Sequence, residues 1–340
     1  STGSGDVFFE WLQAFKQALS DRPQWQISRR QLGFDPLEVL DCQFLIDAGI
    51  AWRAYSGVAD QFAKNGSACL NLDAHLDCRW LSIIKQFPGC VRLEPLRQSF
   101  RAWVGLRLRK FLSCRLRRRL GRRSHNLEDR KRAYALIVPK ENGHFPFLEP
   151  IARQIESFGD CDVVFGVFSE PHFDRAKKSG FKVVPLWGEK SSIEISKAVQ
   201  TVSLELRQCK FEQSKELPVL FQEYLVAILS SLWSEFGASL GEITGVFERG
   251  TLGNPAYVLV GNGNTRECRV VVNLAKNRQI GTATVQHGTI VSKSPEWHHC
   301  MVDRYFVWGE ASRDSLSLTP FPSDRISVSG SPKMERCINI

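Results

Sequence analysis

Residues 281–289 read Gly281-Thr282-Ala283-Thr284-Val285-Gln286-His287-Gly288-Thr289. A short β-branched and apolar run, 282–286, ends in an imidazole and a glycine. That is the pattern of a buried strand whose carboxyl end carries a functional group. Upstream, residues 257–260 form another apolar run, followed by the loop 261–267 and a helical pattern over 265–277. Downstream, 304–307 and 325–328 repeat the strand signal.

The same alternation extends back to residue 132. Strands are predicted at 133–138, 162–168, 182–186 and 245–247. Helices are predicted at 147–158, 171–179, 192–209 and 217–236. Buried-type strands alternating with helices predict an α/β fold, a doubly wound parallel sheet. Residues 1–96 instead show helical periodicity. Val7, Phe8, Trp11, Leu12, Phe15 and Leu19 recur every three or four residues, and Asp21-Arg22-Pro23 stops the run. Further helices are predicted over 37–62 and 76–87, with Trp52, Tyr55 and Trp80 as core residues. The chain is therefore divided into a helical N-terminal region (1–96), a basic amphipathic helix or linker (97–131) and a Rossmann-like domain (132–340).

Ligands of such sheets bind beyond the carboxyl ends of the strands, which ranks the polar residues. Three loops qualify: Glu141-Asn142-Gly143-His144, residues 261–267, and Gln286-His287-Gly288-Thr289. His287 is placed for general-base work, with Gly288 leaving room for a substrate. The alternative is a histidine satisfied by its local backbone. Glu141 and His144 are the other candidate bases. Gly261-Asn262-Gly263-Asn264-Thr265-Arg266 lacks the third glycine of a dinucleotide fingerprint and follows a late strand. It reads either as an ordinary turn needing glycine at positive φ or as a helix N-terminus, capped by Thr265, that holds an anionic group. Arg266 would assist through its planar fork. His298-His299 is not read as a metal site, because adjacent side chains on an extended segment point apart. No metal and no cofactor are expected.

Three ordered segments carry a resemblance: residues 281–289, then Asp303-Arg304-Tyr305-Phe306-Val307-Trp308-Gly309-Glu310, then Ile326 to Lys333 with Gly330-Ser331-Pro332. Together they resemble the acceptor-side Rossmann domain of GT-B glycosyltransferases of bacterial capsule, lipopolysaccharide and teichoic-acid synthesis. Those proteins share a QHG strand end, a D-x-Y-x-x-W-G strand and a G-x-P segment. The run Ala275-Lys276-Asn277-Arg278-Gln279-Ile280 precedes the histidine strand in the same way, and the likeness covers about residues 133–335. The resemblance implies transfer of a sugar or polyol-phosphate unit from a nucleotide-activated donor to a glycan or lipid-linked acceptor. His287 would be the base. Asn142, Gly143, Asn264, Thr265, Arg266, Gln286, Gly288 and Thr289 would line the substrate. In that fold the donor binds mainly a second Rossmann domain, expected after residue 333, so the donor half is sought beyond Ile340 or in a separate chain. A two-Rossmann sugar-nucleotide epimerase and a catalytically silent glycan-binding or scaffold module are the alternatives.

Charge is concentrated elsewhere. Residues 97–123 hold eleven Lys and Arg and no Asp or Glu, so +11 of the net +9 lies there and the rest sums to −2. Phe100, Trp103, Val104, Leu108, Phe111, Leu112, Leu116 and Leu120 recur at helical spacing among the cations. The segment reads as a packed charged helix or as one lying on an anionic membrane surface through Arg115, Arg117, Arg118 and Arg119. Its aromatics fall on the apolar stripe, which argues against nucleic acid. A composition of 43% hydrophobic and 24% charged residues excludes a disordered chain. Ten scattered cysteines without a CxxC pair read as reduced thiols. The expected location is cytoplasmic, peripheral to the inner face of the membrane.

Overall fold

A computed structural model describes residues 4–65, 68–70, 91–93, 133–188, 191–209, 219–248, 252–253, 255–290 and 301–332. The predicted helix 76–87, Trp80, the side chain of Tyr55, His298, His299 and the basic segment with Arg115, Arg117, Arg118 and Arg119 lie outside the described residues. The chain divides into two compact units, one of Ser1–Gln26, Gln43–Leu116 and Thr201–Glu235, the other of Ile27–Cys42, Arg117–Gln200 and Phe236–Ile340.

The first unit is built on helix α1 (Ser4–Ser20), the start of α2 (Pro23–Leu32) and most of α3 (Pro36–Asn65). It also holds parts of α6 (Ile193–Gln208) and α7 (Val219–Glu248). The apolar stripe seen in the sequence becomes core: Trp11 stacks on Phe15 at 5.2 Å and on Phe44 at 5.6 Å. Trp52 meets Phe221 edge-on at 5.0 Å. Arg22 pairs with Glu205 just after the stop at Asp21. A short parallel pair, β1 (Ala68–Leu70) and β2 (Val91–Leu93), was not predicted.

The second unit is the doubly wound sheet. Its strands are β3 (Tyr134–Val138), β4 (Asp162–Val167), β5 (Lys182–Pro185), β6 (Tyr257–Val260), β7 (Gly281–Val285), β8 (Arg304–Val307) and β9 (Ile326–Val328). They run in the order β5-β4-β3-β6-β7-β8-β9, every pair parallel. The order reverses at β3, so the loops after β3 and β6 flank the topological switch point. Helices α4 (Phe145–Ser157), α5 (Glu170–Lys178), α8 (Arg266–Lys276) and α9 (Glu310–Ser317) complete the alternation. Burial on both faces accounts for the near-continuous apolar strands: β3 is buried at all five positions.

One element differs from the sequence reading. The predicted strand 245–247 is the last turn of α7, which runs on from Phe236 instead of ending there. Phe236, Leu240, Ile243 and Phe247 keep a helical spacing and are buried. Gly237 and Gly241 are there for close packing: a Cβ would lie 2.9 Å from Val199 and 3.1 Å from Ser191. Polar burial is concentrated on α8, where Arg269 and Asp41 of α3 form an ion pair with no exposure at either side chain. Arg269 Nη1 also donates to the Glu38 carbonyl at 2.6 Å. Cys42, Cys161, Cys209 and Cys268 are free thiols.

Candidate functional site

The loops after β3, β6 and β7 bring together the candidates His144 and His287 with Asn262, a residue to which the sequence reading assigned no role. The loop after β3 folds into a 3-10 turn at Asn142–His144, closed by the His144 N–H donating to the Glu141 carbonyl at 3.1 Å. His144 is thereby turned inward and is only 4% exposed. Its ring meets that of His287 edge-on, centroids 5.1 Å apart. The Asn262 side-chain amide approaches His287 Nε2 at 3.4 Å, so the third loop element reaches the same point.

Glycine is needed at 261 for proximity and not for its torsion. Gly261, Gly263 and Gly288 all lie outside the positive-φ region. A Cβ on Gly261 would stand 2.6 Å from His144 Nδ1 and 2.8 Å from Cγ, so any side chain there expels the ring. Gly143 and Gly288, which flank the two imidazoles along the chain, have nothing within 4 Å of an added Cβ. The site is packed at its floor and open at its flanks.

Electrostatics follow from this packing. Burial, and then the neighbouring His287, His172 and Lys140, push the His144 imidazole from its usual 6.5 down to about 4. The Lys140 backbone N–H donates to His144 Nδ1 at 3.1 Å. The Lys140 ammonium pairs with Glu267, in the first turn of α8, at 2.6 Å. His172 lies on α5 beyond the end of β4, against the Phe145 ring at 5.7 Å. Burial, followed by Lys140 and Arg175, pushes it down as well, with Glu141 opposing. His172 and Lys140 were missed, although the strand-end rule points equally to His172 after β4 and had already selected the loop after β3 in which Lys140 stands. Among the described residues no group of three His, Cys, Asp or Glu is placed to hold a metal ion.

The remaining candidates divide by what they touch. Glu141, Asn142, Gly143, Gly288 and Thr289 are exposed. The Asn142 carbonyl accepts from Arg175 at 3.3 Å, tying the loop to α5. Gln286 is 2% exposed, with Nε2 donating to the Gly288 carbonyl at 2.9 Å and Oε1 accepting from the Trp308 N–H at 2.8 Å. It therefore shapes the turn that carries His287 and ties the ends of β7 and β8 together. Asp303, from the second motif segment, does the same at the amino ends: Oδ2 accepts from the Thr282 N–H at 2.9 Å and hydroxyl at 2.7 Å. Thr265 sits at the α8 N-cap with extended backbone, but its hydroxyl donates to the Asn262 carbonyl at 3.4 Å and not into the helix. Asn264 donates its N–H to Asn262 Oδ1 at 2.9 Å. Arg266 lies over the Phe236 ring at 5.6 Å.

A separate hollow of about 530 Å³ lies between α4 and the sheet, lined mainly by Ala135, Ile151, Ile155, Tyr257, Leu259 and Phe306. It contains none of the candidate residues, and its walls are mainly apolar, with Cys161 and Tyr257 as its titratable groups, both pushed up by burial. Among the described residues no helix is long and apolar enough to cross a membrane.

No protein-family model matches the chain, and no curated protein matches it. Among solved structures, the UDP-GlcNAc 2-epimerase from Neisseria meningitidis bound to UDP-GlcNAc is similar at 13% identity and a TM-score of 0.38, over 61% of this chain and 49% of that one. The UDP-N-acetylglucosamine 2-epimerase from Rickettsia bellii is similar at 13% identity and a TM-score of 0.35, over 62% and 47%. The chain spans about half the length of each.

Proposed function

We propose that the chain is the acceptor-binding part of a glycosyltransferase that moves a sugar or polyol-phosphate unit from a nucleotide-activated donor to a growing surface glycan. The observation that carries this reading is the imidazole pair His144–His287 at the carboxyl ends of the sheet, beside the switch point and open at Gly143 and Gly288. His287 takes the proton of an acceptor hydroxyl as its oxygen attacks the donor, and the nucleotide leaves with the bonding electrons. Glu141, exposed in the neighbouring loop, is the alternate base. Asn142, Gly143, Asn264, Thr265, Arg266, Gly288 and Thr289 surround the reacting groups, and Gln286 holds the turn. The cationic segment 97–123 places the enzyme on anionic lipid at the cytoplasmic face.

The test is a product assay on the full natural protein with nucleotide-sugar donors, UDP-GlcNAc included, each with and without oligosaccharide acceptors. Acceptor-dependent nucleotide release is the expected result. Conversion of the free sugar nucleotide to its epimer, without acceptor, would instead identify a two-Rossmann epimerase. Oligosaccharide binding with no turnover would leave a silent glycan-binding module.

A further inference from the structure

We propose that His144 is a hydrogen-bond donor of fixed tautomer, its proton held on Nε2, that engages a substrate oxygen beside His287 and is not a second base. This rests on the reading of the site given above, and it assigns the two imidazoles different tasks.

The tautomer follows from the hydrogen bond at the other nitrogen. A backbone N–H can only donate, so Nδ1, which receives the Lys140 N–H at 3.1 Å, presents its lone pair and the ring proton resides on Nε2. The donor is itself held in place. Lys140 is anchored by its ion pair to Glu267, and the turn is closed by the His144 N–H to the Glu141 carbonyl. Nδ1 and Cγ are the ring atoms packed closest over Gly261, where an added Cβ would meet them at 2.6 and 2.8 Å. Nε2 is therefore on the side of the ring away from Gly261.

The charged form is disfavoured from every element packed around it. Lys140 contributes a cation from its own loop, His287 comes from the loop after β7 and His172 from α5. Arg175 of α5 also bears on His172. Of the nearby acids, Glu267 is engaged by Lys140 and Glu141 is exposed. Burial to 4% exposure acts in the same direction. A neutral imidazole with its acceptor nitrogen occupied can give a hydrogen bond and cannot take a proton without breaking the Lys140 contact. Such a pre-set donor suits an oxygen that gains negative charge as His287 removes its proton.

Two measurements test this on the intact protein. In histidine-labelled protein, long-range proton–nitrogen correlation spectra between pH 5 and 8 should show His144 neutral, protonated on Nε2 and unchanged across the range. The signals are assigned by their loss in His144→Gln. An Nδ1-protonated ring, or a His144 titration near pH 6.5, would overturn the proposal, and this readout needs no substrate. In the product assay, His144→Gln, whose amide can donate from near the Nε2 position, should keep kcat within about tenfold. His144→Leu should lose roughly 100-fold, the scale of one lost preorganised donor. Equal loss in both variants, or an acid limb of kcat/KM with a two-proton slope, would contradict the donor role. Full activity in His287→Ala would instead remove the reading of the site while leaving the tautomer result standing.

Discussion

The second unit holds one polar pair buried at both members, Arg269 with Asp41, and one buried only at His144, whose partner His287 is partly exposed. Arg269 and Asp41 carry opposite charges with no exposure on either side chain, so each compensates the other's lost hydration. His144 and His287 are like groups 5.1 Å apart, and protonating one opposes protonating the other. The first pair is closed on all sides and can do nothing but hold α8 to α3. The second cannot neutralise itself, stays uncharged at His144, and stands beside open space. Burial of polar groups alone does not mark a reactive site. A like pair at a rim that a ligand can reach is the arrangement proposed above for the reacting groups.

The largest effect on stability is expected from breaking the compensated pair. Asp41→Ala leaves Arg269 charged and unpaired in the core, which should cost about 3–5 kcal/mol in urea unfolding. The same experiment with a double replacement of Arg269 and Asp41 by apolar residues should recover most of the loss. A cost under about 1 kcal/mol for Asp41→Ala would mean that the pair is reached by water and that the contrast fails.

The imidazole pair should reveal itself through pH. An unfolded His144 protonates near 6.5 and the folded one near 4, so between those values the unfolded chain binds more protons. Stability should therefore be full above pH 6.5, decline as pH falls toward 4 and level off below it. The decline from this group is on the order of 3 kcal/mol. His144→Gln should flatten that part of the curve, and an unchanged slope would place the burden on another group.

The packing argument predicts a difference between two glycines with similar surroundings in the sequence. Gly261→Ala should cost about 1–3 kcal/mol and displace the His144 ring, as over-packing does. Gly288→Ala, which meets nothing within 4 Å, should leave the melting temperature nearly unchanged. Equal costs would dissolve the distinction between floor and flank. The smallest effect belongs to the amino end of the sheet. The Asp303 carboxyl, although burial raises it, is held below its usual range by the Thr282 hydroxyl and N–H and by Lys276. Asp303→Asn should lose about 1 kcal/mol. The loss should be present above pH 4 and vanish as acid protonates the wild-type carboxyl, since the depressed group contributes only while it is ionised.

Much of this fold is written locally. Strands such as 304–307, and the helix stop at Asp21-Arg22-Pro23, depend on neighbours within a few residues, and they stand where the sequence places them. The strand-end rule likewise selects the loops of Glu141, Asn262 and His287 before any contact is known. What is not local is not legible. The sequence reading ends a helix at 236 and places a strand at 245–247, yet α7 passes through Gly237, Gly241 and Gly245, with Gly237 against Val199 of α6 and Gly241 against Ser191 just before it. Gly261 reads as a turn residue, yet its reason is the His144 ring, which arrives from a distant loop. Gln286 and Asp303 sit in the segments that carry the family resemblance, and both hold strands in register. Motif membership therefore does not by itself separate a substrate contact from a structural tie.

The central claim is that chemistry resides at the imidazole pair with His287 as base, and the turnover of His287→Ala in the full natural protein tests it most directly. His287 is partly exposed at a strand end, so the variant should keep the wild-type melting temperature. Its turnover should fall by at least about 100-fold, the scale of a lost general base. Turnover within about threefold of wild type, with the fold intact, would contradict the account.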